Sequence, residues 1–248
     1  MKKEVLLFLF MMGVLHAGEI NIALAANVSY AIDELKAEFA KSNPDTKIRV
    51  TVGSSGKLTA QIKNGAPYGI FMSADMKYPQ FLYDDKIAIS KPVVYAQGAL
   101  AYFSIKQQDF TKGIELLKDE KNHKVAIANP KTAPYGKAAV EAMRNSGIYE
   151  DVKSKFVFAE SISQTVSYAV TAVEIGIIAK SSLYGSKMLA YKENIHWSSV
   201  ETSLYTPIKQ GIVLLEYGKY AKEYKAFYDF ILSDKAKLIF KKYGYIVK

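Results

Sequence analysis

The sequence predicts an α/β fold, and three features of the chain predict it. Short apolar runs alternate with longer amphipathic stretches from residue 20 onwards. Half of the 248 residues are hydrophobic, which is enough to build a sizeable core. No long linker rich in Gly, Ser or Pro interrupts this pattern. Strands that alternate with helices indicate a mostly parallel sheet flanked by helices.

Four strand–helix pairs are predicted along the chain. In order, the predicted strands and helices are residues 20–26 and 31–40, 47–52 and 58–63, 125–128 and 138–145, and 156–159 and 166–173. Near the end of the chain, apolar side chains within residues 220–243 are spaced as in a pair of helices with a break between them.

Two further apolar segments, residues 98–104 and 206–215, are predicted to be strands bounded by polar or turn residues. The chain is long enough for one large domain or for two lobes of about 100 residues each. If both segments cross between lobes, the first and last parts of the chain share a lobe.

The first 17 residues are predicted to be a secretory signal peptide. Lys2 and Lys3 precede the apolar residues 5–15, and the small residue Ala17 follows them. The apolar run is about half the length that a membrane-spanning helix needs. The chain contains no Cys, which excludes disulfides, thiolate metal sites and a lipid-modified cysteine. We therefore expect an exported protein of the periplasm.

The formal charge of +9 is carried almost entirely by lysine. Arg49 and Arg144 are the only arginines, whereas proteins that read nucleic acid depend on arginine for contacts with phosphate and guanine. The lysines are scattered along the chain. We therefore predict no nucleic-acid partner and at most a mild attraction for anions.

Four predicted strands end in loops that are poor in charge and lead towards helices. These loops are residues 25–29, 53–56, 129–136 and 160–164. The N-terminus of a helix offers unpaired N–H donors and a partial positive charge, so such loops can bind an anion without a cation. Each loop taken singly is also explained by ordinary helix capping. The small and rigid residues of the second and third loops favour close approach of a ligand to the backbone.

The motifs in these loops resemble those of the molybdate-binding proteins of ABC importers. The matching stretches are Gly53-Ser54-Ser55-Gly56-Lys57-Leu58, Gln61-Ile62 with Gly65-Ala66-Pro67, Phe71-Met72-Ser73-Ala74-Asp75, Ala128-Asn129-Pro130 with Ala133-Pro134-Tyr135-Gly136, and Phe227-Tyr228-Asp229-Phe230 with Phe240-Lys241-Lys242-Tyr243-Gly244. Together they cover essentially the whole chain after the predicted signal peptide, which is called the leader below.

This resemblance implies a type II periplasmic binding protein with two α/β lobes, each a mostly parallel sheet flanked by helices. Lobe 1 is expected to comprise residues 18–98 and 209–248, and lobe 2 residues 99–208. The implied function is capture of molybdate or tungstate by a monomer that delivers it to a membrane permease. No cofactor and no enzymatic activity are implied.

The resemblance also implies the ligand-binding residues. Ser55 would donate through its hydroxyl and its N–H, and Tyr135 and Ile162 through their backbone N–H groups. Asn27 would donate through its side-chain amide and its backbone, with Ala26 as a neighbour. Part of the family adds a tyrosine hydroxyl at the position of Ala179, so that contact is expected to be absent or replaced. The charge of Asp75 is expected outside the first shell of the oxyanion.

Other functions fit the sequence less well. A secreted hydrolase would need catalytic partners, but after the leader only His123 and His196 remain as histidines, both in polar surroundings, and no hydrolase motif is present. Ferric iron could use some of the 18 tyrosines, although no two are adjacent. Among anions, sulfate remains possible. Phosphate is disfavoured because, apart from Glu160 at the start of the fourth loop, the loops offer no carboxylate to accept its proton.

Overall fold

Two five-stranded sheets form the framework of the computed structural model, which describes residues 18–247. The predicted signal peptide lies outside these residues. The first sheet has the order β2-β1-β3-β10-β4 and consists of β1 (Gly18–Ala25), β2 (Thr46–Gly53), β3 (Ile70–Ser73), β4 (Val93–Gly98) and β10 (Ile208–Leu214). The second has the order β7-β6-β8-β5-β9 and consists of β5 (Leu100–Phe103), β6 (Val125–Ala128), β7 (Phe156–Ala159), β8 (Ile175–Ala179) and β9 (Trp197–Ser199).

Each sheet has the same mixed pattern of strand directions. In the first sheet β1 pairs in parallel with β2 and β3, and β10 lies antiparallel between β3 and β4. In the second sheet β6 pairs in parallel with β7 and β8, and β5 lies antiparallel between β8 and β9. One strand of each sheet therefore opposes the other four, and the expected mostly parallel sheets are confirmed.

Helices cover both faces of each sheet. The α-helices are α1 (Ile32–Ala40), α2 (Ser55–Lys63), α3 (Lys77–Asp84), α4 (Pro134–Asn145), α5 (Tyr149–Val152), α6 (Ile162–Thr171), α7 (Lys222–Leu232) and α8 (Asp234–Lys242). The 3-10 helices are Ala26–Tyr30, Phe110–Lys118, Lys153–Lys155, Lys180–Tyr184, Ser186–Met188, Thr202–Leu204 and Glu216–Gly218. The break predicted within residues 220–243 falls at Ser233, whose hydroxyl accepts the N–H of Ala236 and so begins α8.

The hydrophobic core has a separate part on each face of each sheet. In the first lobe α1, α7 and α8 pack on one face through Leu35, Phe227 and Phe240, and α2 and α3 pack on the other through Leu58 and Leu82. In the second lobe α4 and α6 cover opposite faces. Each lobe is thus a three-layer α/β/α unit.

The chain passes between the two sheets at two places. Strands β4 and β5 flank Ala99 and lie in different sheets, so the predicted strand of residues 98–104 corresponds to β5, and its first residue, Gly98, ends β4. The return passes from β9 to β10, whose first residue, Ile208, pairs with Gly98. The division of lobes at residues 98/99 and 208/209 stays a prediction.

Three of the predicted helices begin earlier than expected. Helices α2, α4 and α6 begin at Ser55, Pro134 and Ile162, rather than at residues 58, 138 and 166. The apolar spacing used for the prediction begins one turn into each helix, whereas the first turns carry Ser, Gly, Pro and Gln residues that are equally typical of loops. Residues of the second, third and fourth loops therefore lie in the first turns of these helices. The first loop differs, because the 3-10 helix Ala26–Tyr30 precedes α1.

Candidate oxyanion-binding site

A small cavity lies where the four loops meet between the lobes. Its volume is about 10 Å³, taken as the space open to the centre of a water-sized sphere. Its lining residues come from both lobes and are Ala25, Ala26, Asn27, Gly53, Ser54, Ser55, Ala74, Ala133, Pro134, Tyr135 and Ile162. All five residues predicted for the site are among them. No charged side chain lines the cavity, so its chemistry depends on hydrogen bonds and on the dipoles of the helices.

Backbone N–H groups are the first set of donors at this cavity. Within residues 18–247, the N–H groups of Asn27, Ser55, Tyr135 and Ile162 have no hydrogen-bond acceptor. Each lies in the first turn of a helix, where no preceding carbonyl is in position to accept. Helices α2, α4 and α6 also direct their positive ends here. This combination is suited to an anion.

The hydroxyl of Ser55 is oriented by the neighbouring strand β3. Its Oγ accepts a hydrogen bond of 2.9 Å from the N–H of Ala74, and the side chain is buried, with 1% of the residue exposed. A hydroxyl that accepts from a backbone N–H keeps its own proton for another acceptor. Ser55 can therefore offer two donors to one ligand, its hydroxyl and its N–H.

Ser54 is a functional candidate that the sequence reasoning missed. It occupies the N-cap of α2, yet its hydroxyl does not cap the helix. The residue is 3% exposed, and within the described part of the chain its Oγ has no hydrogen-bond partner. The Ser54-Ser55 pair is the feature of the sequence that could have indicated this role. Serine is common at helix N-caps, however, so the pair is also explained without a ligand.

Asn27 is held by a buried hydrogen-bond network. Its Nδ2 donates to Gln210 Oε1 and to the hydroxyl of Tyr245, both at 2.8 Å. Its backbone oxygen accepts from Tyr245 at 2.9 Å and from Ser181 Oγ at 3.0 Å. Both amide donors are engaged within the protein, so donation from this side chain to an oxyanion stays a prediction. The backbone N–H of Asn27 is the donor that remains.

The loop after β8 reaches the site through Ser181. Ala179 is buried at the end of β8 and brings no hydroxyl, as expected from the sequence. The next 3-10 helix instead places Ser181 against the carbonyl of Asn27. This loop therefore supports a binding residue rather than lining the cavity.

The phenol of Tyr135 reaches the first crossover between the sheets. A Cβ atom on Gly98 would lie 1.9 Å from the Tyr135 hydroxyl, so the ring packs against the first crossover. Burial raises the pKa of the Tyr135 phenol well above its ordinary value. Ionisation to a phenolate, the form that binds ferric iron, is thereby opposed.

Comparison with known proteins identifies the family. The model for bacterial extracellular solute-binding proteins matches residues 20–246. The chain belongs to this family.

Relatives of this solute-binding protein include two named molybdate-binding protein ModA. The one from Rhodobacter capsulatus is 36% identical over 94% of this chain and 90% of its own length. The one from Azotobacter vinelandii is 34% identical over 92% of this chain and 90% of its own length. A solved structure of an Azotobacter vinelandii periplasmic molybdate-binding protein has a TM-score of 0.84 at 28% identity and covers 92% of this chain and 99% of its own. The two-lobed fold of periplasmic binding proteins is therefore confirmed.

Other site types find little support in this solute-binding protein. Within residues 18–247, no group of three or more His, Cys, Asp or Glu side chains is placed to hold a metal ion. No helix in that range has the length and apolar character needed to cross a membrane. His123 and His196 do not line the cavity, and neither does Asp75.

Asp75 serves a turn beside the site. Its carboxylate accepts hydrogen bonds of 3.2 Å from the N–H of Tyr78 and from Ser73 Oγ, which fixes the start of α3. Burial raises the pKa of the Asp75 carboxyl above its ordinary value, although these hydrogen bonds oppose the shift. These contacts give Asp75 a role in the turn that leads into α3.

Proposed function

We propose that this solute-binding protein captures molybdate or tungstate. The observation that carries the proposal is the convergence of four unpaired N–H groups and the Ser55 hydroxyl on an uncharged cavity. A dianion with four acceptor oxygens can use all of these donors. Hydrogen bonds to a charged partner contribute about 1.5–3 kcal/mol each, so neutral donors suffice for tight but reversible binding.

The character of the lining supports a fully deprotonated oxyanion. Phosphate keeps a proton at neutral pH and needs an acceptor, yet no carboxylate lines the cavity. Sulfate has the same charge and shape as molybdate and is the second candidate. The names of the relatives that are 36% and 34% identical favour molybdate.

The biological role that follows is import. The leader would direct the chain to the periplasm, where the monomer would bind its oxyanion between the lobes and pass it to the membrane permease of an ABC importer. The protein would catalyse no reaction, and release would require only that the lobes separate and water replace the N–H donors.

A thermal-shift series tests the proposal most directly. Purified protein without its leader is titrated with molybdate, tungstate, sulfate, phosphate and ferric citrate. A ligand that binds only the folded state raises its stability by RT ln(1 + [L]/Kd). We expect molybdate and tungstate to raise the melting temperature at micromolar concentrations. A shift with sulfate alone would move the assignment to sulfate, and a shift with iron alone, with a coloured complex, would overturn it.

A further inference from the structure

The first turn of α2 touches the opposite lobe immediately beside the cavity. The N–H of Gly56 donates a 2.9 Å hydrogen bond to the carbonyl oxygen of Thr132, which lies in the loop before α4. Tyr78, on α3, donates from its hydroxyl to the Lys131 carbonyl at 3.4 Å. Successive N–H groups of one helical turn thus have different uses. The N–H of Ser55 faces the cavity and has no acceptor, whereas the N–H of Gly56 binds the second lobe.

Space, rather than backbone conformation, explains the glycine at position 56. A Cβ atom there would lie 3.0 Å from both Cα and O of Thr132 and 2.7 Å from the Tyr78 hydroxyl. A tyrosine side chain can turn away, but Thr132 presents its backbone, so the loop before α4, or the lobe that carries it, would have to move away from α2. Gly56 does not have a positive φ, and glycine within a helix is less stable than alanine.

An ion pair flanks this contact on its exposed side. Lys57 of α2 pairs with Glu160, which precedes α6 in the second lobe. Both side chains are about half exposed, so the pair is weak and depends on salt. Lys63, near the other end of α2, forms a similar pair with Asp85, but within the first lobe.

We propose that Gly56, Lys57 and Glu160 form a docking contact between the lobes that sets the affinity and residence time of the bound oxyanion. Gly56 is a positioning residue. Only a residue without a side chain lets α2 approach the loop before α4 closely enough for Ser55 and Ile162 to reach the same ligand. The inference rests on the proposed function, since it concerns capture at that cavity.

The Gly56→Ala variant separates this role from a structural one. Alanine favours the helix, so without ligand the variant should be at least as resistant to urea as the wild type. Its Kd for molybdate should rise about 5- to 100-fold, the range expected for overpacking a close contact, mainly through faster dissociation. Small-angle scattering should show a smaller compaction on adding molybdate. Equal affinity and equal compaction in both proteins would overturn the inference.

Charge variants give a second test that does not depend on packing. Glu160→Gln removes a negative charge near an anion site, so a general field effect predicts tighter binding. The docking contact instead predicts a Kd about two- to fivefold higher at low salt. Lys57→Gln should weaken binding too, the double variant should be no weaker than the single ones, and Lys63→Gln should leave Kd unchanged. Tighter binding by Glu160→Gln would refute a role for the pair.

The outcomes separate the two proposals. If the wild type binds no oxyanion, the proposed function fails, and the docking role fails with it. If the wild type binds molybdate and the Gly56 and Glu160 variants bind it equally well, the docking role alone fails.

Discussion

The hydroxyl of Ser55 accepts a 2.9 Å hydrogen bond from the backbone N–H of Ala74. This bond joins the first turn of α2 to the end of β3 and leaves the hydroxyl proton available for a ligand.

Ser55→Ala should therefore have two effects. The Kd for molybdate should rise about 10- to 100-fold, because a hydrogen bond to a charged ligand is lost. The unfolding free energy without ligand should fall by about 1–3 kcal/mol, because the buried N–H of Ala74 loses its acceptor. Calorimetric titration and urea denaturation measure the two effects. Ser146→Ala, far from the cavity, is the control, and an unchanged Kd for Ser55→Ala would remove Ser55 from the site.

Ser54→Ala should separate binding from stability. The wild-type hydroxyl is buried without a partner in the described chain, so its removal should leave the unfolding free energy without ligand unchanged or higher. If this hydroxyl also donates to the oxyanion, the Kd should rise by about 3- to 30-fold. Urea denaturation and titration are again the measurements. Lower stability with unchanged affinity would indicate a purely structural role.

Ile162→Pro should test a single backbone donor. Ile162 is the first residue of α6, where proline is accepted, and the preceding Ser161 has the extended conformation that proline requires. The substitution removes the N–H and the apolar side chain, whereas Ile162→Ala removes only side-chain atoms. We expect the proline variant to bind molybdate at least about tenfold more weakly than the alanine variant. Equal Kd values would show that this N–H is not used.

Tyr245→Phe should weaken binding of molybdate, although Tyr245 does not line the cavity. The Tyr245 hydroxyl both accepts from Asn27 Nδ2 and donates to the Asn27 carbonyl. Its loss leaves a buried amide donor unpaired, which should lower the unfolding free energy by about 1–3 kcal/mol and loosen Asn27. Tyr220→Phe, at a tyrosine that is 92% exposed, is the control. An unaltered denaturation midpoint in Tyr245→Phe would contradict the network.

Asp75→Asn should change how stability depends on pH. Burial raises the pKa of Asp75, so the folded protein holds this proton more tightly than the unfolded chain. The contribution of Asp75 to stability is therefore greatest below its unfolded pKa and is lost as pH rises through its folded pKa. Asparagine keeps an acceptor for Tyr78 but does not titrate. Urea denaturation from about pH 3 to about pH 7 should show the variant gaining stability relative to wild type, and a constant difference would contradict this.

The order of elements and the chemical character of the site were predictable from the sequence because both are local. Strand and helix periodicity marked the strand–helix pairs, and the neutral residues at the strand ends marked loops that meet at one cavity. Parallel strands bring their carboxyl ends to one edge, so the sequence order implied that convergence.

Tertiary structure alone decided how each donor is used. Asn27 looked like a side-chain ligand, yet Gln210 and Tyr245, 183 and 218 residues away in the chain, engage both its amide hydrogens. Ser54 looked like a helix cap, yet its hydroxyl caps nothing. The glycine at position 56 is explained only by the close approach of the Thr132 backbone in the other lobe. A sequence specifies which groups a residue carries, but the hydrogen bonds left for a ligand depend on which distant partners folding has already supplied.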